Sequence, residues 1–345
     1  MLNILFFGSD SESSTSRHRA DALRRLGHNV FVLDPILVIS TRNRLQSYID
    51  YRTGFRLLSA HFLIFIKSFL QQLNTPIDIV WIDRGEYLSS THLNFLRTKL
   101  NCRLLLFNID DPLGPRDWLC FTTLRRALPA YDLCVFVRQE TSLEALAAGA
   151  QRVLTVNRSY DEIYHKRQHI TQGSGLHKAL TFIGTNIPGE GRAIFLKSLI
   201  RLKLNLAIYG DGWKSCNEWQ SLMASCIGSS LTLSLYSDTI NRSYISLGLL
   251  SHRNRDLVTT RSFEIPASAG LLCAELTSEH QLFLEHGVEA LFWSNAEDCV
   301  EQCRFLMGNP LLRDLIAFNG HQAIQKMGLG NEDICRQILD HLMEH

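Results

Sequence analysis

The stretch "DLVTTRSFEIPASAGLLCAEL", residues 256 to 276, sets Arg261 and Glu264 at what reads as the start of a helix. Its other residues, Ile265, Ala267 and Ala269, are of core type. A helix beginning at Arg261 or Ser262 leaves the N–H groups of Ser262 and Phe263 spare at the positive end of its dipole, with Thr260 beside them. Pro266 is then expected in the first turn, where its missing N–H costs least. Arg261 adds a planar, permanently charged fork suited to phosphate oxygens. A capping box would explain Glu264, but position 261 is Arg, so the box spacing fails. Two acceptor oxygens beside a phosphate site suit two adjacent ribose hydroxyls. Asp256 stands before Glu264 with seven residues between them.

Other side chains could do chemistry at the ends of apolar runs. "GDGW", residues 210 to 213, closes one such run: Gly210 permits a tight backbone turn near a ligand and Trp213 could stack on a base or sugar, or the tetrad is plain turn chemistry. In "NIDDPL", Asp110 and Asp111 are consecutive and point to different sides, so no metal site is expected. They either touch a ligand at a strand end or cap the following turn. The loop "SDSESSTSRHR" offers Ser14, Arg17 and His18. His18 either deprotonates a hydroxyl as a general base or is an exposed histidine on an arginine-rich helix. His252, in "SHRNRD", follows another apolar run.

Bulk composition narrows the classes. The chain has 345 residues, 46% hydrophobic and 20% charged, with a formal net charge of +1. Single cores stop growing near roughly 250 to 300 residues, so two domains are expected. The charge balance argues against nucleic acid as a partner. Nine cysteines without any C-x-x-C fit a reduced compartment, and the chain runs straight into "LNILFFG", so a cytoplasmic protein is expected. Residues 39–73 carry Arg42, Arg44, Arg52, Arg56 and Lys67 against Asp50, beside the apolar "HFLIFIKSFL". This is either a basic amphipathic surface for an anionic membrane, at its inner face, or an inserted core helix with a solvated flank.

The elements that must position these groups alternate. "NILFFG", "NVFVLD", "DIVWID", "RLLLFNID" and "DLCVFV" read as strands, with helices near 16–26 and 90–100 between them, and "ETSLEALAAGAQRVLTV" continues with another helix, a Gly stop and a strand. Such alternation predicts a parallel sheet covered on both faces. After an irregular linker, "NRSYDEIYHKRQHITQGSGLHK", the pattern restarts with "LTFIG", "LNLAIYG", "LTLSLYS", "YISLGLL", "LLCAEL" and "ALFWS". The expected domains are 1–160, 175–325, and a closing helix in 326–345 that returns to the first. Neither G-x-G-x-x-G nor G-x-x-x-x-G-K-[ST] occurs, which removes the dinucleotide and P-loop classes. In such sheets ligands bind at the carboxyl ends of the strands.

The acid-x7-Glu element resembles the E-x7-E element of retaining GT-B glycosyltransferases. The fuller string "NRDLVTTRSFEIPASAGLLCAE" resembles the CgeB-like, spore-maturation type of these enzymes. "DRGEYLSSTHLNFLR", "LLLFNIDDPL", "YDLCVFVRQETSLEALAAGA", "LTFIGTNIPGEGRAIFLKSL" and "LAIYGDGW" agree in order, spanning about residues 75 to 310. The resemblance implies an α/β GT-B fold of two facing Rossmann-like domains, metal-free transfer of a sugar from a nucleotide diphosphate sugar, expected to be a UDP-sugar, and a glycan, lipid-linked, protein or small-molecule acceptor. It implies that Glu264 holds the donor ribose and that Asp256 takes the first acid's place near the sugar, an Asp where the pattern has Glu. Arg261 would hold the diphosphate, with Gly184 and Thr185 in a loop close to it and Arg192 as a second phosphate contact. The backbone at Tyr236 and Ser237 would lie near the nucleobase, His252 near donor phosphate or sugar, and Ser14, Arg17, His18, Asp110 and Asp111 on the acceptor side. A nucleotide-sugar epimerase and a non-catalytic sugar-nucleotide binder share this architecture.

Overall fold

The computed structural model describes residues 1–167, 178–231 and 233–344; the expected linker, 157–178, lies partly outside them. The chain forms two compact units, residues 1–158 with the stretch from Asn331 onward, and residues 159–330.

In the first unit the strands are β1 (Asn3–Phe7), β2 (Asn29–Leu33), β3 (Ile79–Asp83), β4 (Arg103–Asn108), β5 (Leu133–Phe136) and β6 (Val153–Thr155). They form one parallel sheet in the order β2-β1-β3-β4-β5-β6. Its helices are α1 (Thr15–Arg25), α2 (Ile36–Ile39), α3 (Arg44–Arg52), α4 (Ser59–Gln72), α5 (Ser90–Leu100), α6 (Thr122–Ala127) and α7 (Gln139–Ala147). The central strands are buried, apart from the half-buried Arg103 that opens β4, which is why "IVWID" and "RLLLFN" read as continuous apolar runs rather than alternating ones. Ser14 caps α1 by accepting from the Arg17 N–H at 3.0 Å. Arg19 of α1 grips Asp83 at the end of β3 through two bonds of 2.9 and 2.7 Å, both side chains 6% exposed.

In the second unit β7 (Lys178–Ile183), β8 (Leu206–Tyr209), β9 (Cys226–Gly228), β10 (Ser243–Gly248), β11 (Leu272–Glu275) and β12 (Leu291–Trp293) form a second parallel sheet, order β12-β11-β10-β7-β8-β9. Its helices are α8 (Arg192–Arg201), α9 (Trp219–Leu222), α10 (Leu233–Asn241), α11 (Arg261–Ala267), α12 (Ser278–Phe283), α13 (Ala296–Met307) and α14 (Pro310–Lys326). The last helix, α15 (Asn331–Met343), belongs to the first unit: it lies on α1, with Arg25 Nε 2.5 Å from Glu332 and Ile338, Leu339 and Leu342 buried.

Two local expectations are corrected. "LTLSLYS" reads with period 2, but Leu233 to Asn241 form a helix, and the intervening strand is the short β9. Tyr236, Ser237 and Ile240 recur at helical spacing and are the buried face of α10, so the 3.6-residue period is the one that matches the core. Pro266 is not in the first turn of α11 but near its end. The helix has only seven residues, so the proline removes little of its ladder.

Both sheets are doubly wound, and each has a point where the strand order reverses: between β1 and β3 in the first, between β7 and β10 in the second. The crevice for a ligand lies outside the carboxyl ends of strands at such a point.

Candidate functional site

At the second unit's switch point, β7 leads into Gly184 and Thr185, while β10 leads into Leu250, Ser251 and His252. Arg192, in the first turn of α8, ties these loops together. One terminal nitrogen donates to the Thr185 carbonyl at 2.9 Å and the other to the Leu250 carbonyl at 3.0 Å. The buried Glu190 is the second tie: it accepts from Ser251 Oγ at 2.7 Å and from the Arg253 N–H at 3.4 Å. His252, its side chain 56% exposed, stands between carboxylates, 2.8 Å from Glu275 and 3.9 Å from Glu190. Gly210 closes the crevice from the β8 side. Its φ of 134° suits glycine, and a Cβ there would overlap the Gly184 carbonyl.

α11 approaches the same strand ends from below. Arg261 Nε donates to the Ile183 carbonyl, the last residue of β7, at 2.8 Å, and its guanidinium lies 5.9 Å from the Tyr236 ring centre. Glu264 accepts from the Tyr236 hydroxyl at 2.8 Å and faces His165 Nε2 at 3.6 Å. Burial, and then the adjacent Glu264, push the Tyr236 phenol well above its ordinary range, so it stays a donor. Arg261, Glu264 and Tyr236 thus form one polar group against the end of β7, with Glu264 and Tyr236 buried and Arg261 half-buried. Asp256, also buried, takes the Asn254 amide at 3.3 Å.

Several expected roles are redistributed. The N–H groups of Ser262 and Phe263 are not spare: they donate to the Thr259 and Thr260 carbonyls at 3.0 and 3.1 Å, because the chain tightens into a turn before the helix begins. Ser262 Oγ is bound to His280 Nε2 at 2.8 Å, and His280 Nδ1 to the Glu275 carbonyl at 2.7 Å. Burial pushes His280 down to about 4, so it is neutral at pH 7. Trp213 is 3% exposed, packs edge-on to Phe182 and donates its indole N–H to the Gly184 carbonyl, so its ring props the β7 loop instead of stacking on a ligand. Ser237 Oγ is engaged by the Tyr164 carbonyl and Ser268.

In the first unit, His18 is buried, with Nε2 3.0 Å from the Glu12 carbonyl, not exposed on its helix. Arg17 is paired with Asp10 and Asp21. Asp111 is buried and accepts from Thr141, whereas Asp110 faces Arg84 at 3.0 Å. Among the described residues, thiols with metal-ligand spacing occur at Cys273, Cys299 and Cys303, within 4.8 Å of one another. They lie inside the second unit's hydrophobic core.

Sequence reasoning missed His165, Glu190, Glu275 and His280. Each acts through a partner distant in sequence, and no spacing rule encodes such pairs. It also left Arg84 and Glu86 unassigned, although "DRGEY" places both at the end of a strand, which was a usable signal.

Comparison with known proteins gives three findings. Residues 192–340 match the glycosyl transferase-like family. No curated protein matches the chain. Among solved structures, the chain resembles HepE of Anabaena in complex with UDP and glucose, at TM-score 0.66 and 11% identity over 100% of both chains. It also resembles sucrose-phosphate synthase of Thermosynechococcus elongatus, at TM-score 0.70 and 10% identity over 100% of this chain and 99% of that one. A putative UDP-N-acetylglucosamine 2-epimerase of Listeria monocytogenes follows at 0.60 and 11%, over 100% and 97%. The structural likenesses establish the GT-B fold, and the family match marks residues 192–340 as glycosyl transferase-like.

Proposed function

We propose that the protein transfers a sugar from a UDP-sugar to a hydroxyl acceptor, without a bound metal, and that the donor occupies the crevice at the β7 and β10 ends. The observation that carries this reading is the placement of Arg192, His252, Arg261 and Glu264 around one switch point, inside the region that matches the glycosyl transferase-like family. Fixed donors at that point meet the charge that develops on the leaving diphosphate, and a single such donor is worth about 3 to 4 kcal/mol. A carboxylate has about four acceptor positions, so Glu264 can keep Tyr236 and still accept from ribose hydroxyls. Asp256 is the acid nearest in sequence to take the sugar, and the pair favours retention of configuration. The subgroup we favour is the CgeB-like one.

The test is a thermal-shift screen of UDP, GDP and ADP with their sugars. A ligand at 100 times its dissociation constant stabilises the fold by about 2.7 kcal/mol, so UDP and one UDP-sugar should raise the Tm. Failure of all three diphosphates would reject the reading. An epimerase of the same architecture would convert the donor alone, so NMR of the donor incubated without acceptor separates the two: hydrolysis at most supports transfer, an epimer rejects it.

We place the enzyme in the cytoplasm, resting on the membrane surface through residues 39–73. No single described helix is long and apolar enough to cross a membrane. Leu45, Tyr48, Ile49 and Arg52 recur on one exposed face of α3, and Leu57 and Ile64 are also exposed. Asp50, the one acid of this segment, is buried against Arg42 at 2.9 Å. Sedimentation with phosphatidylglycerol vesicles should carry the protein down, and less of a Leu45→Ser/Ile64→Ser variant. Equal recovery with neutral vesicles would refute this placement.

A further inference from the structure

In the core of the second unit, β11 carries Cys273, and α13 carries Cys299 and Cys303 one helical turn apart, so the two α13 thiols share one buried face. Cys273 stands across from both. Its Sγ is 3.9 Å from that of Cys299 and 4.0 Å from that of Cys303. The three sulfurs lie within 4.8 Å of one another, and all three residues are 0% exposed. A core thiol packs as a small apolar side chain, and one alone would carry nothing. Three thiols from two elements converge on a point. A triangle with sides of 3.9 and 4.0 Å and a third of at most 4.8 Å has its centre within about 2.5 Å of each sulfur, close to a metal–thiolate bond of about 2.3 Å.

The surroundings select the ion. Cys273 pairs with Leu247 of β10 on one side and Leu291 of β12 on the other, and Val300, Leu306 and Ile316 belong to the same apolar cluster. Among the described residues, no fourth thiol, imidazole or carboxylate joins the three. A structural zinc site is closed by four ligands. Water in the fourth place would need about two to four polar partners, and the residues of this cluster are apolar. Soft sulfur ligands favour Cu⁺, an ion for which three sulfurs suffice. Charge leads to the same ion: a net charge sealed in an apolar core is costly, and one thiolate balances one positive charge.

We propose that Cys273, Cys299 and Cys303 bind one Cu⁺ ion, which clips α13 to β11. Three thiols and Cu⁺ become a neutral complex of one thiolate and two thiols; one proton leaves to water and no oxidation state changes. The ion is structural and takes no part in the metal-free transfer proposed above. Its binding adds to the folding stability of the second unit. Because the sulfurs are sealed from solvent, the ion enters while β11 and α13 are apart.

The test is anaerobic refolding of the full-length protein from urea with Cu⁺ buffered by bicinchoninate, then desalting and X-ray absorption at the copper edge. One copper per chain with three sulfur neighbours is expected, with a Tm above that of the copper-free protein. Cys273→Ala and Cys303→Ala should each weaken Cu⁺ binding about tenfold or more, since losing a ligand costs at least as much as losing an outer-shell partner. Cys102→Ala, at a half-buried thiol of the first unit, should leave binding unchanged. Refolding with Zn²⁺ and Cu⁺ together should retain Cu⁺. No retained copper, fewer than three sulfur neighbours, retention of Zn²⁺ instead, or a loss in Cys102→Ala equal to that in the other variants would overturn the assignment. The sulfur count in the wild-type protein decides it even where an alanine variant does not fold.

Discussion

Glu264 has partners before any ligand arrives, and this separates its structural role from its chemical one. Replacing it with alanine leaves the Tyr236 hydroxyl without its acceptor, a cost of about 1 to 3 kcal/mol. In a double-mutant cycle, Tyr236→Phe on the Glu264→Ala background should therefore cost less than Tyr236→Phe alone, by urea unfolding. Additive costs would show that the pair is not coupled. Donor turnover should be lost in Glu264→Ala and kept in part in Tyr236→Phe. His280 gives the pH dependence. Its folded value of about 4 lies below its ordinary 6.5, so the unfolded chain binds the proton first. The stability contributed by neutral His280 is complete above pH 6.5 and falls as pH drops towards 4, by up to about 1.4 kcal/mol per pH unit. Urea midpoints should show this loss, and His280→Gln, which cannot titrate, should reduce it. An unchanged slope in the variant would assign the loss elsewhere. The string itself picks out residues 256 to 264 as the candidate site; their partners were not legible there, because Tyr236, His280 and Ile183 reach them only through the fold.

At the scale of elements, the strand ends carry the candidate site, and the sequence shows which strands these are. Long apolar runs gave eleven of the twelve strands among the described residues because parallel strands are buried on both faces. The exception, β9, has three residues and an exposed flank, too little to mark it, while "LTLSLYS" mimicked a strand until its helical face met the core. The glycine after β8 is the element-level constraint that can be tested simply. Gly210→Ala forces a side chain into positive φ and into the Gly184 carbonyl, so stability should fall by about 1 to 3 kcal/mol and UDP affinity with it, because the β7 loop must move. Wild-type urea midpoint and wild-type UDP affinity in this variant would show that the two loops are not in contact.

For the whole molecule, the chain's division is asymmetric: the first unit is completed by its last helix. α15 lays Ile338, Leu339 and Leu342 on the first unit, and burying each such side chain is worth about 1.5 to 3 kcal/mol. Ending the chain at Gly330 should lower the calorimetric transition of the first unit and leave that of the second in place; a shift of both together would contradict two separable units. The central claim is that the β7 and β10 ends hold the donor diphosphate, and the most direct measurement is a crystal structure of the protein grown with UDP. The account predicts the diphosphate between the Gly184–Thr185 and Ser251–His252 loops, with the ribose hydroxyls on Glu264. UDP bound elsewhere, with Glu264 still occupied by Tyr236 and His165 alone, would contradict it.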